Sequence, residues 1–559
     1  MDNSRLVLGP LMRYVDQTCA HIWVETRDAA TVTVRAGDRR WAARTFAAHG
    51  HHYAMVAVDR LDPGSITPYS VDIDDAEVWP PAGSTYPPSV IATLKPGKRL
   101  RMAFGSCRTS VSHDEAGNSV HGVDALRSLA LRMAEEPETP WPDLVLFLGD
   151  QVYADITSDE MQEFIASRRS LDVQPGTELL DYEEYAHLYG LAWSDPLNRW
   201  LLSTLPSAMI FDDHDIRDDW NTSLSWRQEM EKLPWWQVRI VAGLGSYWVY
   251  QHLGNMSPDE LAKDPLWQRV VSHEGDTEPD ITAELDAFAD RADKDPESYR
   301  WSYARDFDGV RLVVVDSRAA RKLVPEKRSI LDDEEMEWLD DQMRGGFRHL
   351  LVGTSLPFLM PTGLHHFEAW NEAVCNGAWG PRLARLGERL RRTVDLEHWG
   401  AFEEGWRRVG AMAVEVADGR RGPAPRTVTF LSGDVHHSYL SEVSRSPAPG
   451  RARILQAVCS PIRNPLPRAM RVTMSFGSSK AATAVGRALS RRAKVPEPPF
   501  AWSQIRGPWF ENCLAILEDH EDGLALLWQA GVVDDDAPRD ENGNPKPRLE
   551  KVASVLVRT

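Results

Sequence analysis

Four apolar segments, each with the composition of a buried strand, end in side chains that bind metal ions or transfer protons. The segments are MAFGSC, LVLFLGDQVYAD, MIFDDHDIRDDW and FLSGDVHHSY. Because active sites of sheet-based α/β proteins gather at strand ends, we expect these side chains to meet in one place. The polar residues delivered there are Cys107, Asp150, Tyr153, Asp212, Asp213, His214, Asp215, Asp218, Asp219, Asp434, His436 and His437.

So many carboxylates at one sheet edge would repel one another, and bound cations are the usual remedy. A glycine precedes the acid in both LGD and SGD, which permits a sharp turn and close approach to an ion. Asp150 is then placed to bridge two ions. Thiolate and phenolate ligands favour a Lewis-acidic transition metal such as iron, whereas oxygen ligands suit calcium or magnesium. The ligands divided between the two ions are Cys107, Tyr153, Asp434 and His436.

Two adjacent cations can bind a phosphoryl group, make hydroxide from water and stabilise in-line displacement. His214 lies among acids that would hold its charged form, so we predict that it protonates the leaving oxygen. A hydrogen bond from the ring to Asp215 is expected to orient it. Arg318 follows another apolar segment, and it either binds substrate phosphate through its forked donors or forms a structural salt bridge.

The motifs GSC, GDQVYAD, DDHDIRDDW and GDVHHSY, in this order, resemble those of the PhoD-like alkaline phosphatase family. This family is a branch of the calcineurin-like metallophosphoesterases. The stretches VVVDSRAAR, LVGTSLP, DLEHWGAF and CSPIRNPL also resemble it, so the similarity runs from about 97 to 530. The resemblance implies hydrolysis of phosphate mono- or diesters by an iron (Fe3+) and calcium centre. Manganese, magnesium and zinc stay open as alternatives.

The resemblance also implies a ligand set, from which this chain departs at one point. The family's third motif usually ends in an Asn pair before Trp, where this chain has Asp218 and Asp219. An Asn ligand would become the carboxylate of Asp219, and Asp213 is the second candidate. The added negative charge would tighten cation binding or change the preferred metal. The other ligands implied by the motifs are Cys107, Asp150, Tyr153, Asp434 and His436.

Composition sets wider limits on the function. The chain has 559 residues, a net charge of −20 and a pI near 5.4, which argue against non-specific binding to nucleic acid or anionic membrane. No nucleic-acid-binding patch is evident, and a phosphoester is the expected partner.

Five cysteines without a CxxC do not predict a disulfide framework. The sequence shows neither a signal peptide nor an apolar run long enough for a membrane helix, so we expect a cytoplasmic protein, or an extracytoplasmic one if translation starts further upstream.

The alternation of strands and helices predicts how these residues are positioned. Residues 1–80 read as a small fibronectin- or Ig-like β-sandwich, and 81–98 as a Pro- and Gly-rich linker. The pattern over residues 99–559 then predicts an α/β catalytic domain with layered αββα architecture and a Trp-rich helical insertion near 220–275. The Trp residues are expected in a packed core. The oligomeric state cannot be read from the sequence.

Several features have less specific interpretations. His365 and His366 are expected to line a loop, with contact to the metal centre as the alternative. The basic segment 479–495 is expected to be a solvated helix or mobile loop, with contact to anionic lipid as the alternative. Two rival functions stay open. One is a metallohydrolase of another ester bond, and the other is a non-catalytic metal-containing binding protein.

Overall fold

The computed structural model describes residues 5–445, 450–467, 471, 477, 479–540 and 543–559. Its N-terminal strands are β1 (Leu6–Val15), β2 (Ala20–Thr26), β3 (Thr31–Ala36), β4 (Arg39–Arg44), β5 (Phe46–Ala48), β6 (His51–Val58), β7 (Ile66–Ile73), β8 (Ala76–Trp79) and β9 (Val90–Ala92). The later strands are β10 (Arg101–Gly105), β11 (Leu144–Leu148), β12 (Ser207–Ile210), β13 (Tyr303–Phe307), β14 (Val310–Val315), β15 (His349–Thr354), β16 (Thr427–Ser432), β17 (Ser438–Ser444), β18 (Arg453–Val458), β19 (Ala501–Trp509), β20 (Cys513–His520), β21 (Gly523–Val532) and β22 (Arg548–Arg558).

Helices connect most of the later strands. They are α1 (Glu115–His121), α2 (Ala125–Glu135), α3 (Asp159–Arg168), α4 (Tyr182–Trp193), α5 (Pro196–Thr204), α6 (Leu224–Met230), α7 (Trp236–Tyr247), α8 (Pro258–Leu261), α9 (Pro265–Val271), α10 (Thr282–Lys294), α11 (Asp333–Gln342), α12 (Thr362–Cys375), α13 (Pro381–Thr393), α14 (Glu403–Ala417) and α15 (Lys480–Arg492). A π-helical turn (Trp248–His252) continues α7, and 3-10 turns cover Pro296–Ser298, Pro325–Lys327 and Trp399–Ala401.

The N-terminal strands form two antiparallel sheets, ordered β1-β2-β6-β5 and β4-β3-β7-β8. Buried Val and Ile side chains such as Ile22, Val34 and Val71 fill the space between them. Strand β9, in the segment predicted as a linker, pairs with β7 and so extends the sandwich to residue 92. The hydroxyl of Tyr69 donates a hydrogen bond to the carbonyl of Ser203 in α5 (2.6 Å), which joins the sandwich to the larger domain.

Two larger sheets stack face to face in this larger domain. Their strand orders are β12-β11-β10-β20-β21-β22 and β13-β14-β15-β16-β18-β17-β19. Successive side chains of each strand point to opposite faces of its sheet. Phe104 and Val314 therefore lie between the two sheets, while Ala103 and Val313 lie under the helices. Helix α2 packs on β21 and β22, and α14 packs on β16 and β18. The predicted αββα layering behind a β-sandwich is therefore confirmed.

The Trp-rich insertion contributes to the core, as expected. Trp226, Trp236 and Trp248 are buried in the cluster that also covers the outer face of β10, β11 and β12. His365 and His366 do not lie in a loop, because both are buried residues of helix α12. The apolar i, i+3, i+4 spacing around this pair was the signal for a helix. Among the described residues, no helix is both long and apolar enough to cross a membrane.

Candidate metal centre and active site

The side chains predicted to bind metal ions lie at one rim, where the carboxyl ends of strands from both sheets meet. Cys107 follows β10, Asp150 follows β11, and Asp434 follows β16 of the other sheet. The backbone N–H of Asp434 donates to the hydroxyl of Ser106 (3.1 Å), and that of Cys107 donates to the carbonyl of Gly149 (3.2 Å). These hydrogen bonds connect loops that are remote in sequence.

Potential ligand atoms form three groups at this rim, with all ligand atoms of one group within 4.8 Å of one another. Asp150 belongs to two groups, and Asp213 also belongs to two. Asp219 belongs to none of them, although its backbone N–H donates to the carboxylate of Asp213 (3.0 Å). The geometry therefore favours Asp213 over Asp219 as a ligand. The groups are Cys107, Asp150 and His436; Asp150, Asp213 and His214; and Asp212, Asp213 and Asp434.

The turns that deliver these ligands are strained. The backbone is left-handed at Cys107 (φ 58°), Asp150 (φ 50°), Asp434 (φ 63°) and His436 (φ 48°). A left-handed conformation costs a non-glycine residue about 1–2 kcal/mol, and such strain clusters at functional sites. The preceding glycine in SGD is required by space, since a Cβ on Gly433 would lie 1.9 Å from the Ser106 hydroxyl oxygen.

Several acids at the rim are desolvated, and each keeps a carboxylate oxygen without a partner. Burial raises the pKa of Asp150 and of Asp212 well above the usual range, and neighbouring carboxylates raise them further. Burial and nearby acids raise the pKa of Asp219 to about 9. Among the described residues, each of these three acids has one buried oxygen without a hydrogen-bond partner. These oxygens are Oδ1 of Asp150, Oδ2 of Asp212 and Oδ1 of Asp219. Unpaired buried oxygens of this kind fit cation ligands.

The thiol and phenol at the rim are equally desolvated. Burial raises the pKa of Cys107 and of Tyr153 well above their usual values. The Cys107 sulfur lies 3.3 Å from Oδ2 of Asp150, and the hydroxyl of Ser460 donates to it (3.4 Å). Tyr153 is buried, and its ring lies 4.7 Å from the ring of His214. Both groups would ionise only beside a strong positive charge, so this donor set also fits a metal ion.

Asp155, rather than Asp215, orients His214. The carboxylate of Asp155 lies 2.9 Å from Nδ1 of His214 and also accepts the backbone N–H of Asp218 (2.6 Å). Burial lowers the pKa of His214, but Asp155 and other acids outweigh burial and raise it well above its usual value. The prediction that Asp215 orients the ring was wrong. Asp155 is the last residue of GDQVYAD, and only its position in the fold shows its role.

Asp215 instead fixes the two neighbouring turns. One carboxylate oxygen accepts the backbone N–H groups of Asp150 and Asp212, each at 2.9 Å. The other oxygen accepts the side-chain amide of Gln251 (3.0 Å). A single buried side chain thus fixes the ends of β11 and β12 relative to each other.

Arg318 is fully buried and lies within salt-bridge distance of four carboxylates. It is 3.0 Å from Asp213 and 3.7 Å from Asp434, and it also pairs with Asp212 and Glu397. Because none of its surface is exposed, its contacts favour the structural salt bridge over the predicted binding of substrate phosphate. Its positive charge stabilises the cluster of acids from within the protein.

Asp434 also takes part in a series of contacts with His398 and Glu368, to which the sequence motifs assigned no role. Nε2 of His398 lies 3.1 Å from the Asp434 carboxylate, and Nδ1 lies 2.7 Å from Glu368. Burial opposes ionisation of Asp434, but the contact with His398 outweighs it and lowers the pKa of the carboxylate. His398 belongs to the stretch DLEHWGAF. His437 is buried with its Nδ1 2.7 Å from the carbonyl of Val435, which fits a structural role.

Comparison with known families agrees with this geometry. Residues 3–91 match a family model described as a domain of unknown function (DUF7800), and residues 128–493 match the model described as PhoD-like phosphatase. With the fold and the candidate metal-ligand groups, the second match defines a metal-dependent phosphoric ester hydrolase. Since that match spans more than half of the chain, the protein belongs to the PhoD-like phosphatase family. The resemblance seen in the motifs is thus confirmed.

A solved structure shares the fold at low sequence identity, and a second shows a weaker similarity. A structure of PhoD aligns with 100% of this chain and 94% of its own, at 12% identity and a TM-score of 0.54. A purple acid phosphatase, PPD1, from yellow lupin (Lupinus luteus) seeds aligns with 93% of this chain and 71% of its own, at 10% identity and a TM-score of 0.44. The comparison with curated proteins found no match.

Proposed function

We propose that the protein hydrolyses phosphate mono- or diesters at a centre of two adjacent metal ions, iron (Fe3+) and calcium. The observation that carries the proposal is the position of Asp150, whose carboxylate is shared by two groups of potential ligands. One of these groups contains the thiol of Cys107 and the imidazole of His436. The other contains His214 and Asp213, and Asp213 also belongs to a third group that consists of carboxylates alone. Nitrogen and sulfur donors suit iron, whereas carboxylates suit calcium.

The side chains would divide accordingly. Cys107, Tyr153 and His436 would hold iron, and Asp213 and Asp434 would hold calcium. Asp150 would be the shared ligand, and Asp219 stays a second candidate beside Asp213. When bound, the two ions would stabilise charge on the phosphoryl oxygens and make water acidic enough to serve as nucleophile.

The chain's own residues perform the remaining tasks. Nδ1 of His214 is bound to Asp155, so Nε2 is the atom that gives its proton to the leaving oxygen. The His214 side chain is 15% exposed, which lets a substrate reach it. Asp215 keeps the two acid-bearing turns in position, and Arg318 holds the carboxylates that flank them.

The first experiment compares hydrolysis of p-nitrophenyl phosphate and of bis(p-nitrophenyl) phosphate by wild type and Asp150→Asn. Both proteins are loaded with iron and calcium, and metal content is measured on the same samples. We expect Asp150→Asn to lose at least about 100-fold in kcat/KM, because even residues outside the ligand shell of metal sites cost 10–100-fold. The ester that wild type prefers separates a monoesterase from a diesterase.

Asp172→Asn is the matched control, since Asp172 is an exposed loop residue outside the site. It should keep wild-type activity and metal content. Full activity in Asp150→Asn would refute the shared-ligand proposal. A strong preference of the metal-loaded wild type for p-nitrophenyl acetate would instead support hydrolysis of a carboxylic ester.

A further inference from the structure

Two basic helices, α13 and α15, pack on the outer side of α12. Helix α13 makes its contact at Gly387, whose carbonyl accepts the side-chain amide of Asn371 (2.9 Å). Helix α15 makes its contact at the buried Gly486 and Ser490, and the hydroxyl of Ser490 donates to the carbonyl of His366 (2.6 Å). Asn371 and His366 lie on different sides of α12, so α13 and α15 flank the arc between them.

Aromatic side chains occupy that arc. Phe367 and Trp370 of α12 are only partly buried, and their rings lie 5.1 Å apart. The ring of Trp379 lies 5.6 Å from Trp370, and its indole N–H donates to the carbonyl of Arg492 (3.3 Å). The segment just before α13 therefore touches the end of α15, and the aromatic rings lie between the two helices.

Helix α13 turns an apolar stripe towards this space. Its opposite flank carries Ala384, Arg385 and Glu388, which line a cavity against α6. There the hydroxyl of Ser225 donates to Glu388 (2.6 Å). Leu383 and Leu386 lie on the other flank, because of the helical period, and they are 42% and 55% exposed. These leucines consequently line the side of α13 that faces α15.

Helix α15 has a matching arrangement. Arg487 and Arg491 reach Glu497 on one flank. Val485 lies on the other flank, towards α13, and is 60% exposed. The aromatic rings, the two leucines and this valine together form an exposed apolar groove between the helices, which we call the α13–α15 groove.

The charge around the groove is opposite to that of the whole protein. Residues 379–394 and 479–495 together contain ten Lys and Arg but a single Glu, in a chain with net charge −20. Six of these basic side chains are exposed and have no carboxylate within salt-bridge distance among the described residues. They are Arg382, Arg385, Arg389, Lys480, Arg492 and Lys494.

We propose that the α13–α15 groove docks on an anionic lipid bilayer. Apolar side chains of such a surface enter the boundary of the acyl region, while Lys and Arg contact the anionic headgroups. A soluble polyanion would use the arginines but gain nothing from exposed Leu and Val, so the combination favours a bilayer. The chain runs from α13 directly to His398, which contacts Asp434, so docking would hold the candidate active site beside the lipid. The proposal does not depend on which ester the enzyme cleaves.

The test is co-sedimentation of the full-length protein with vesicles of phosphatidylcholine alone or mixed with phosphatidylglycerol. Wild type should bind the anionic vesicles and lose binding at high salt, since surface attraction is screened. Arg382→Glu with Arg389→Glu should weaken binding at least about 25-fold, because each basic residue near an anionic surface contributes about fivefold. Leu383→Ser with Leu386→Ser should weaken it about tenfold or more.

Arg40→Glu with Arg60→Glu is the matched control, because both residues are exposed on the N-terminal sandwich and the net charge change is the same. It should bind like wild type. The proposal is overturned if wild type fails to bind anionic vesicles or binds neutral ones equally well. It is also overturned if the control loses as much binding as the α13 variant. If the serine variant binds fully while soluble polyphosphate displaces the protein from vesicles, the partner is a soluble polyanion and the bilayer proposal is wrong.

Discussion

Replacing Asp155 by Asn removes the carboxylate that lies 2.9 Å from Nδ1 of His214 but keeps a side chain of similar shape. Both side chains are largely buried, at 6% and 15% exposure, so solvent screens the interaction weakly. An opposite charge at this range favours the charged imidazole by about 1–3 pKa units, or about 1.4–4 kcal/mol. Asp213 and Asp150 still act on His214 in the variant, so we expect the lower half of that range.

The sign of the effect follows from the role of His214 as proton donor. Its pKa is raised well above the usual value, so the protonated form persists to high pH, and activity falls as the pH rises through that pKa. In Asp155→Asn the pKa falls, and the alkaline limb of the kcat profile should move to lower pH by about 1–2 units. The decrease in kcat should be large for phenyl phosphate and small for a substrate whose leaving group needs no proton.

The assay is kcat against pH with both substrates, using enzyme loaded with the same metals. Asp218→Asn is the control, because Asp218 is exposed and its carboxylate lies 3.9 Å from Nε2 of His214. Asp218→Asn should shift the alkaline limb of the kcat profile by less than about one pH unit. An alkaline limb that does not move in Asp155→Asn, or a loss that is equal for both leaving groups, would refute the assignment of His214 as general acid.

Three further predictions concern stability. Asp219→Asn should stabilise the metal-free protein by at least about 1 kcal/mol near pH 9 and less near pH 6. A folded-state pKa raised to about 9 means that stability is lost progressively as the pH rises from the unfolded-state pKa to that value, and urea unfolding at both pH values checks this. Chelation should lower the Tm more at alkaline than at neutral pH, because the buried acids then ionise without a counter-ion, and an equal drop would contradict this reasoning. Gly433→Ala should cost about 1–3 kcal/mol or more, because its Cβ would clash with Ser106; Gly190→Ala, which meets no atom within 4 Å, should not destabilise.

Sequence patterns could predict the layered fold and the residues at the strand ends. Strands with uninterrupted apolar stretches place the acid that follows them at a known edge, so Asp150 and Asp434 were expected to meet before any coordinates were known. The same logic could not find Asp155 or His398. Each acts through a contact with a residue 59 or 36 positions away, and no local spacing encodes that contact.

Arg318 shows a different limit of sequence reasoning. Its place after an apolar strand suggested both a phosphate ligand and a salt bridge, and only its complete burial separates the two. The helix that carries His365 and His366 was missed because the pair was assigned to a loop, whereas both side chains are buried on a packed helix face.

The Cys107 sulfur lies 3.7 Å from the carbonyl oxygen of Asp434, across 327 positions of sequence and between the two stacked sheets. During synthesis, a chain that has emerged only as far as β15 already contains Cys107, Asp150 and Asp213 but not Asp434 or His436. Its early acids would meet one another before their last ligands arrive. The centre is therefore completed late, and metal loading should follow the closure of both sheets, so that a bound ion reports a finished catalytic domain.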